Sequence, residues 1–146
     1  MRPTTERFLA VSAELTGFAA DELRATGLVA GHLATLRREV GPEHADRLTA
    51  LPAGVGHAPQ LITDEPLREV ARALTHLWYT GSWPGLPEPV RTALGRETAA
   101  AAPYTVSADS YAGGLLWQTI GGHAPGTHAP GFGSWTAPPG LPEARR

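Results

Sequence analysis

Apolar residues recur at helical spacing through most of the chain. Phe8, Leu9, Val11, Ser12 and Leu15 follow that spacing, with Thr4 or Thr5 available as N-cap and Gly17 as terminator. Asp21 opens a second helix, in which Leu28, Val29, Leu33, Leu36 and Val40 recur along one face until Gly41. Gly27 and Gly31 weaken this helix by about 1 kcal/mol each relative to Ala. Pro42 suits the first turn of a short third helix that carries Ala45, Leu48 and Leu51. Residues 52–62 read as a loop, because Pro52, Gly54, Gly56 and Pro59 interrupt them.

The clearest helix follows. Thr63 or Asp64 caps it, Glu65 and Pro66 suit its first turn, and Gly81 is the expected residue past its end. Leu67, Val70, Ala71, Leu74, Leu77 and Trp78 form its apolar face. Pro84, Gly85, Pro87 and Pro89 argue against a regular element over 82–89. A short, weak helix fits around 89–97. Ser107 caps a further helix with Asp109 in its first turn, and Tyr111, Leu115, Leu116 and Trp117 lie within it. The expectation is a mostly α domain of about five helices over 1–120, followed by a long irregular arm over 121–146.

That arm holds six Gly and five Pro, yet also Phe132 and Trp135, and it is nearly free of charge before Glu143. Solvated tails have the opposite composition. The arm is therefore expected to lie ordered on a surface, its own or a partner's.

Composition narrows the chemistry. At 146 residues the chain has the length of one domain. Charged residues make up 18%, below the usual ~25%. A net charge of −2 argues against nucleic acid as the main partner, which requires clustered positive charge. All 12 basic residues are Arg, so Schiff-base and phosphate-loop lysine chemistry is excluded. The absence of Cys excludes disulfides, thiolate nucleophiles and thiolate-bound metals in this chain. No stretch is apolar for the ~18 residues of a membrane span. Glu6, Arg7 and Glu14 interrupt any signal-like run, so the cytoplasm is the expected location.

The candidates for catalysis each have a plainer account. His123 and His128 stand five apart in a Gly-rich loop and could bind zinc or copper, but no carboxylate or thiol nearby completes a ligand set. His76 beside Leu77 and Trp78 reads as a core or interface residue, and His32, His44 and His57 are scattered. Asp21, Glu22, Asp64 and Glu65 sit at helix starts, where the helix dipole explains them. Ser107, Asp109 and His123 have the residue types of a hydrolase triad without the Gly-x-Ser-x-Gly elbow. Gly113-Gly114 and Gly121-Gly122 lack the strand-to-helix setting of a dinucleotide site. Aromatics are the stronger signal, because Trp and Tyr dominate protein interfaces when they fill pockets. Trp78 and Trp117 are expected to pack the core. Trp83, Phe132 and Trp135 have few core-forming neighbours in sequence and are expected to face a partner; Tyr111, Trp117, His123 and His128 complete the candidate interface.

Phe8-Leu9-Ala10-Val11-Ser12 with Leu15-Thr16-Gly17, and Leu77-Trp78-Tyr79-Thr80-Gly81, stand in order along the chain. Val106 to Tyr111, Gly114 to Trp117, Ile120 to Gly126 and Pro130 to Trp135 follow them. In these motifs and their order the chain resembles the small subunit of FAD-dependent sugar and polyol dehydrogenase complexes of the sorbitol, fructose and glucose type. The resemblance covers most of the chain, with poor matching over 41–66 and 84–104. It implies an accessory chain with no cofactor of its own, bound to a large glucose-methanol-choline type flavoprotein that carries FAD. It also implies a role in maturing, stabilising or exporting that flavoprotein. Family members that accompany exported enzymes carry a twin-arginine signal, which is not seen here. The alternatives are a helical metal protein or enzyme using His123 and His128, and a homo-oligomeric scaffold.

Overall fold

A computed structural model of the chain describes residues 4–122. Its elements run α1 (Thr4–Thr16), α2 (Ala20–Ala25), α3 (Val29–Val40), α4 (Pro42–Thr49), α5 (Glu65–Thr80), β1 (Ser82–Trp83), α6 (Glu88–Ala93), β2 (Tyr104–Thr105), α7 (Ala108–Ala112) and α8 (Leu115–Thr119). The protein is mostly helical, as its apolar periodicity predicts. Between α4 and α5 the loop makes two short 3-10 turns, Val55–His57 and Pro59–Leu61. The arm expected from 121 onward lies outside the described residues except for Gly121 and Gly122.

α5 is the axis of the fold. Its start is set by the Asp64 side chain, which accepts from the Leu67 amide at 3.0 Å, with Pro66 in the first turn. Its end is set by Gly81, whose φ of 76° is the left-handed conformation that lets a helix close. Leu67, Val70, Ala71, Ala73, Leu74, Leu77 and Trp78 are buried along it. α1, α3 and α4 pack on it from the N-terminal half, and α6, α7 and α8 from the C-terminal half. Each fully buried Leu in this core contributes roughly 1.5–3 kcal/mol relative to an exposed one.

Two expected helices are broken by glycine. The span 21–40 divides into α2 and α3 at Gly27, which takes φ 73°. There the Thr26 hydroxyl donates to the Leu23 carbonyl at 2.6 Å and accepts from the Leu28 amide at 3.1 Å, a local alternative to the helix ladder. The buried stripe of α3 then runs through His32, Thr35, Leu36, Glu39 and Val40, while Val29 and Leu33 are only partly buried. The span after Ser107 divides into α7 and α8 at Gly113-Gly114.

The segment 82–89 also departs from expectation. The prolines begin at 84, so Ser82 and Trp83 remain free to pair antiparallel with Thr105 and Tyr104. This short ladder turns Trp83 into the core, where it is 0% exposed. Trp83 is therefore a packing residue of this chain and not a partner-facing one.

Long-range hydrogen bonds tie the loops to the helices. The amides of Gly54 and Gly56 donate to the two carboxylate oxygens of Glu14 at 2.9 and 3.0 Å. Tyr79 donates through its hydroxyl to the Thr16 carbonyl at 2.7 Å. Glu39 is buried on α3 and accepts from the Tyr104 hydroxyl at 2.5 Å and from the Ala100 amide at 3.1 Å. Burial, then the bond to Glu39, raise the Tyr104 pKa above that of an ordinary phenol.

Candidate functional site

Two of the aromatic candidates, Tyr111 and Trp117, meet on the α7–α8 segment, which packs on α5. Ser107 starts α7 by accepting from the Ser110 amide at 3.0 Å, and the Ser110 hydroxyl accepts from the Ser107 amide at 2.9 Å. The same Ser110 hydroxyl donates to the Gly81 carbonyl at 2.8 Å and so fastens α7 to the end of α5. The approach is close: a β-carbon on Gly81 would lie 2.2 Å from the Ser110 carbonyl oxygen. One on Gly114 would lie 2.6 Å from the Tyr79 carbonyl oxygen. Glycine at these positions allows the α7–α8 turn to sit directly on backbone.

α8 is short and apolar on more than one side. Leu115 takes the buried position at 0% exposed. Leu116 and Ile120, four apart, are left outside at 39% and 64% exposed. Tyr111 and Trp117 stand half-buried at ring centroids 5.7 Å apart, edge to face. The Trp117 indole N–H donates to the Tyr111 carbonyl at 3.0 Å, so the ring is held in place and not loosely placed on the surface. Trp78, by contrast, is fully buried as expected. Leu116 and Ile120 are thus exposed apolar side chains on the short helical segment that also carries Trp117, which is paired with Tyr111. Leu116 and Ile120 were not among the sequence candidates. Their signal was available: a five-residue helix with Leu115, Leu116 and Trp117 cannot bury every side.

His123, His128, Phe132 and Trp135 lie outside the described residues. Among the described residues no group of three His, Asp or Glu is placed to hold a metal ion. Ser107 serves as a helix cap, and Asp109 is exposed in the first turn of α7. His76 is exposed on α5, which removes the core position from the core-or-interface pair expected for it. Among the described residues the buried histidine is His32, whose pKa burial lowers to about 4. Its place one turn from Leu28 and from Leu36 on the α3 stripe was the sequence signal for that burial.

A second apolar feature lies at the opposite end of α5. Leu51, Val55, Leu61, Ile62 and Leu67 line an open cleft of about 440 Å³, with the Arg47–Asp64 ion pair at its rim. Leu61 is 68% exposed there. The Leu67 amide, then Arg47, hold the Asp64 carboxyl below its ordinary pKa. His44 donates from Nε2 to the Leu94 carbonyl at 3.0 Å, which leaves Nδ1 to face Arg47. These groups close the fold on itself; they present no nucleophile and base within reach of one another.

No protein-family model, curated protein or solved structure matches this chain. No helix among the described residues is long and apolar enough to cross a membrane.

Proposed function

We propose that this chain is the small, non-catalytic subunit of an FAD-dependent sugar, polyol or alcohol dehydrogenase, bound to a large flavoprotein that it stabilises or matures. The observation that carries the proposal is the α8 surface. Leu116 and Ile120 are exposed beside the half-buried Tyr111–Trp117 pair, on the helix that leads into the Phe132- and Trp135-bearing segment. Exposed apolar side chains on the same short segment as a fixed aromatic pair have the composition of a binding surface. The choice of a flavoprotein partner is supported by the family resemblance, which the stretch from Val106 to Trp135 helps to carry. FAD belongs to the partner in this reading. The chain contributes the docking surface and the ordering of the arm, which costs a few kcal/mol of the gross binding energy.

The test is a pull-down of the tagged full-length chain from its native host, followed by the visible absorbance of the eluate. A flavin-bearing companion is expected with the wild-type chain. The Leu116→Ser, Ile120→Ser double variant is expected to recover at least about tenfold less companion, because the loss of even one hot-spot residue at ≥2 kcal/mol exceeds tenfold in affinity. Its thermal midpoint should stay near wild type, since both residues are exposed. A colourless, companion-free wild-type eluate would overturn the proposal.

A further inference from the structure

Trp78 carries the junction of α1, α3 and α5. Phe8 of α1 stacks on its ring at 6.4 Å between centroids, and the His32 ring of α3 meets it at right angles at 4.5 Å. Phe8 and Trp78 are 0% exposed and His32 is 1%. His32 Nε2 and Trp78 Nε1 are buried without a hydrogen-bond partner. A neutral imidazole is tolerated in such a place, because it packs as an aromatic ring. An imidazolium is not, because a buried charge requires a counter-charge or several hydrogen bonds.

The charged groups of the surrounding elements are paired elsewhere or exposed to solvent. On α1, Glu6 pairs with Arg24, and Glu14 accepts from the 54–56 loop beside Arg7. On α4, Glu43 is exposed, His44 binds the Leu94 carbonyl, Asp46 faces Arg37, and Arg47 faces Asp64. On α5, Arg68 donates to the Ile62 carbonyl, Glu69 pairs with Arg72, His76 is exposed, and Tyr79 donates to Thr16. On α3 itself, Glu39 holds Tyr104 and lies beside Arg38. Burial is the sole cause of the lowered His32 pKa, with no charge contributing to it.

We propose that His32 is an acid-sensitive catch in the core: neutral, it keys α3 onto Trp78, and protonated, it opens the α1–α3–α5 junction. The direction follows from linkage. The unfolded chain takes up this proton near pH 6.5, the folded chain only near 4. Above that window neither form holds the proton and the catch is closed. As the pH falls through the window, the unfolded chain alone is protonated, and the equilibrium shifts toward it by up to about tenfold per pH unit.

Thermal unfolding of the full-length chain from about pH 7 to 4.5 tests this against His32→Met, which keeps an apolar filler and removes the titration. The wild-type midpoint is expected to fall more steeply than that of the variant across the window. Parallel curves would overturn the proposal. If the variant does not fold, the imidazole resonances of the wild-type chain decide by NMR. His32 is expected to stay neutral for as long as the chain is folded, and a folded-state titration near 6.5 would overturn the catch.

Discussion

The two ends of α5 are closed by different physics. At the N-terminal end the closure is made by side chains: Asp64 caps the helix, Arg47 reaches Asp64, and Arg68 donates to the Ile62 carbonyl at 2.7 Å. At the C-terminal end it is made by the lack of side chains. Gly81 and Gly114 let α7 and the turn before α8 approach backbone to backbone, and one serine hydroxyl at position 110 fastens the contact. A closure made of charge and hydrogen bonds has slack, because water can replace a lost partner at a partly exposed site. A steric closure has none, because the atoms that would collide are backbone. The end without slack is also the end that presents the exposed apolar surface of α8.

Substitutions at the two ends should therefore differ in size. Gly81→Ala should have the largest effect, about 2–5 kcal/mol, from left-handed strain added to a collision with the Ser110 carbonyl. Urea unfolding reads it directly, and a midpoint equal to wild type would remove the steric account. Asp64→Ala should cost about 1 kcal/mol through the lost cap. Because the folded pKa of Asp64 is lowered, its contribution is present above the ordinary carboxylate range and is lost as pH falls through the folded value. The gap between wild type and Asp64→Ala should thus narrow toward acid pH in the same unfolding assay. Arg47→Ala should cost least, below about 1 kcal/mol, and its effect should shrink further with added salt. If Arg47→Ala equals Gly81→Ala in cost, the contrast between the two ends is broken.

What the sequence made legible divides along the same line. Asp64, Pro66 and Gly81 are local signals, since cap chemistry involves residues within one turn of each other, and α5 follows them. The breaks at Gly27 and Gly113-Gly114 were not legible. A glycine costs about 1 kcal/mol within a helix, which is compatible with either continuation or a break. The decision at Gly113 and Gly114 is made by Leu28 and by the Tyr79 carbonyl, both remote in sequence. Trp83 failed for the same reason. Its neighbours are Pro, Gly and Ser, so it looks exposed, but its pairing with Tyr104 across 20 intervening residues that include α6 brings it inside. Tyr111 and Trp117 were found as aromatics, and their edge-to-face pairing required the turn at 113–114 to be known. His32 has the spacing of the buried stripe of α3, one turn before Leu36. The stripe was read from apolar residues alone, and a polar side chain held by burial leaves no mark in such a reading.

Glu14 and Gly56 form a pair with a different kind of consequence. The carboxylate serves two loop amides at once, and a β-carbon on Gly56 would lie 2.6 Å from the β-carbon of Glu14. Neither position is free to drift while the other stays fixed. A larger residue at 56 displaces the loop from α1, and a shorter one at 14 releases both loop amides from α1. Over evolutionary time the two sites form one heritable unit, although 42 residues separate them. Relatives of this chain should keep both residues or replace both, and the loop between α4 and α5 should change its length only in lineages where that unit has already been lost.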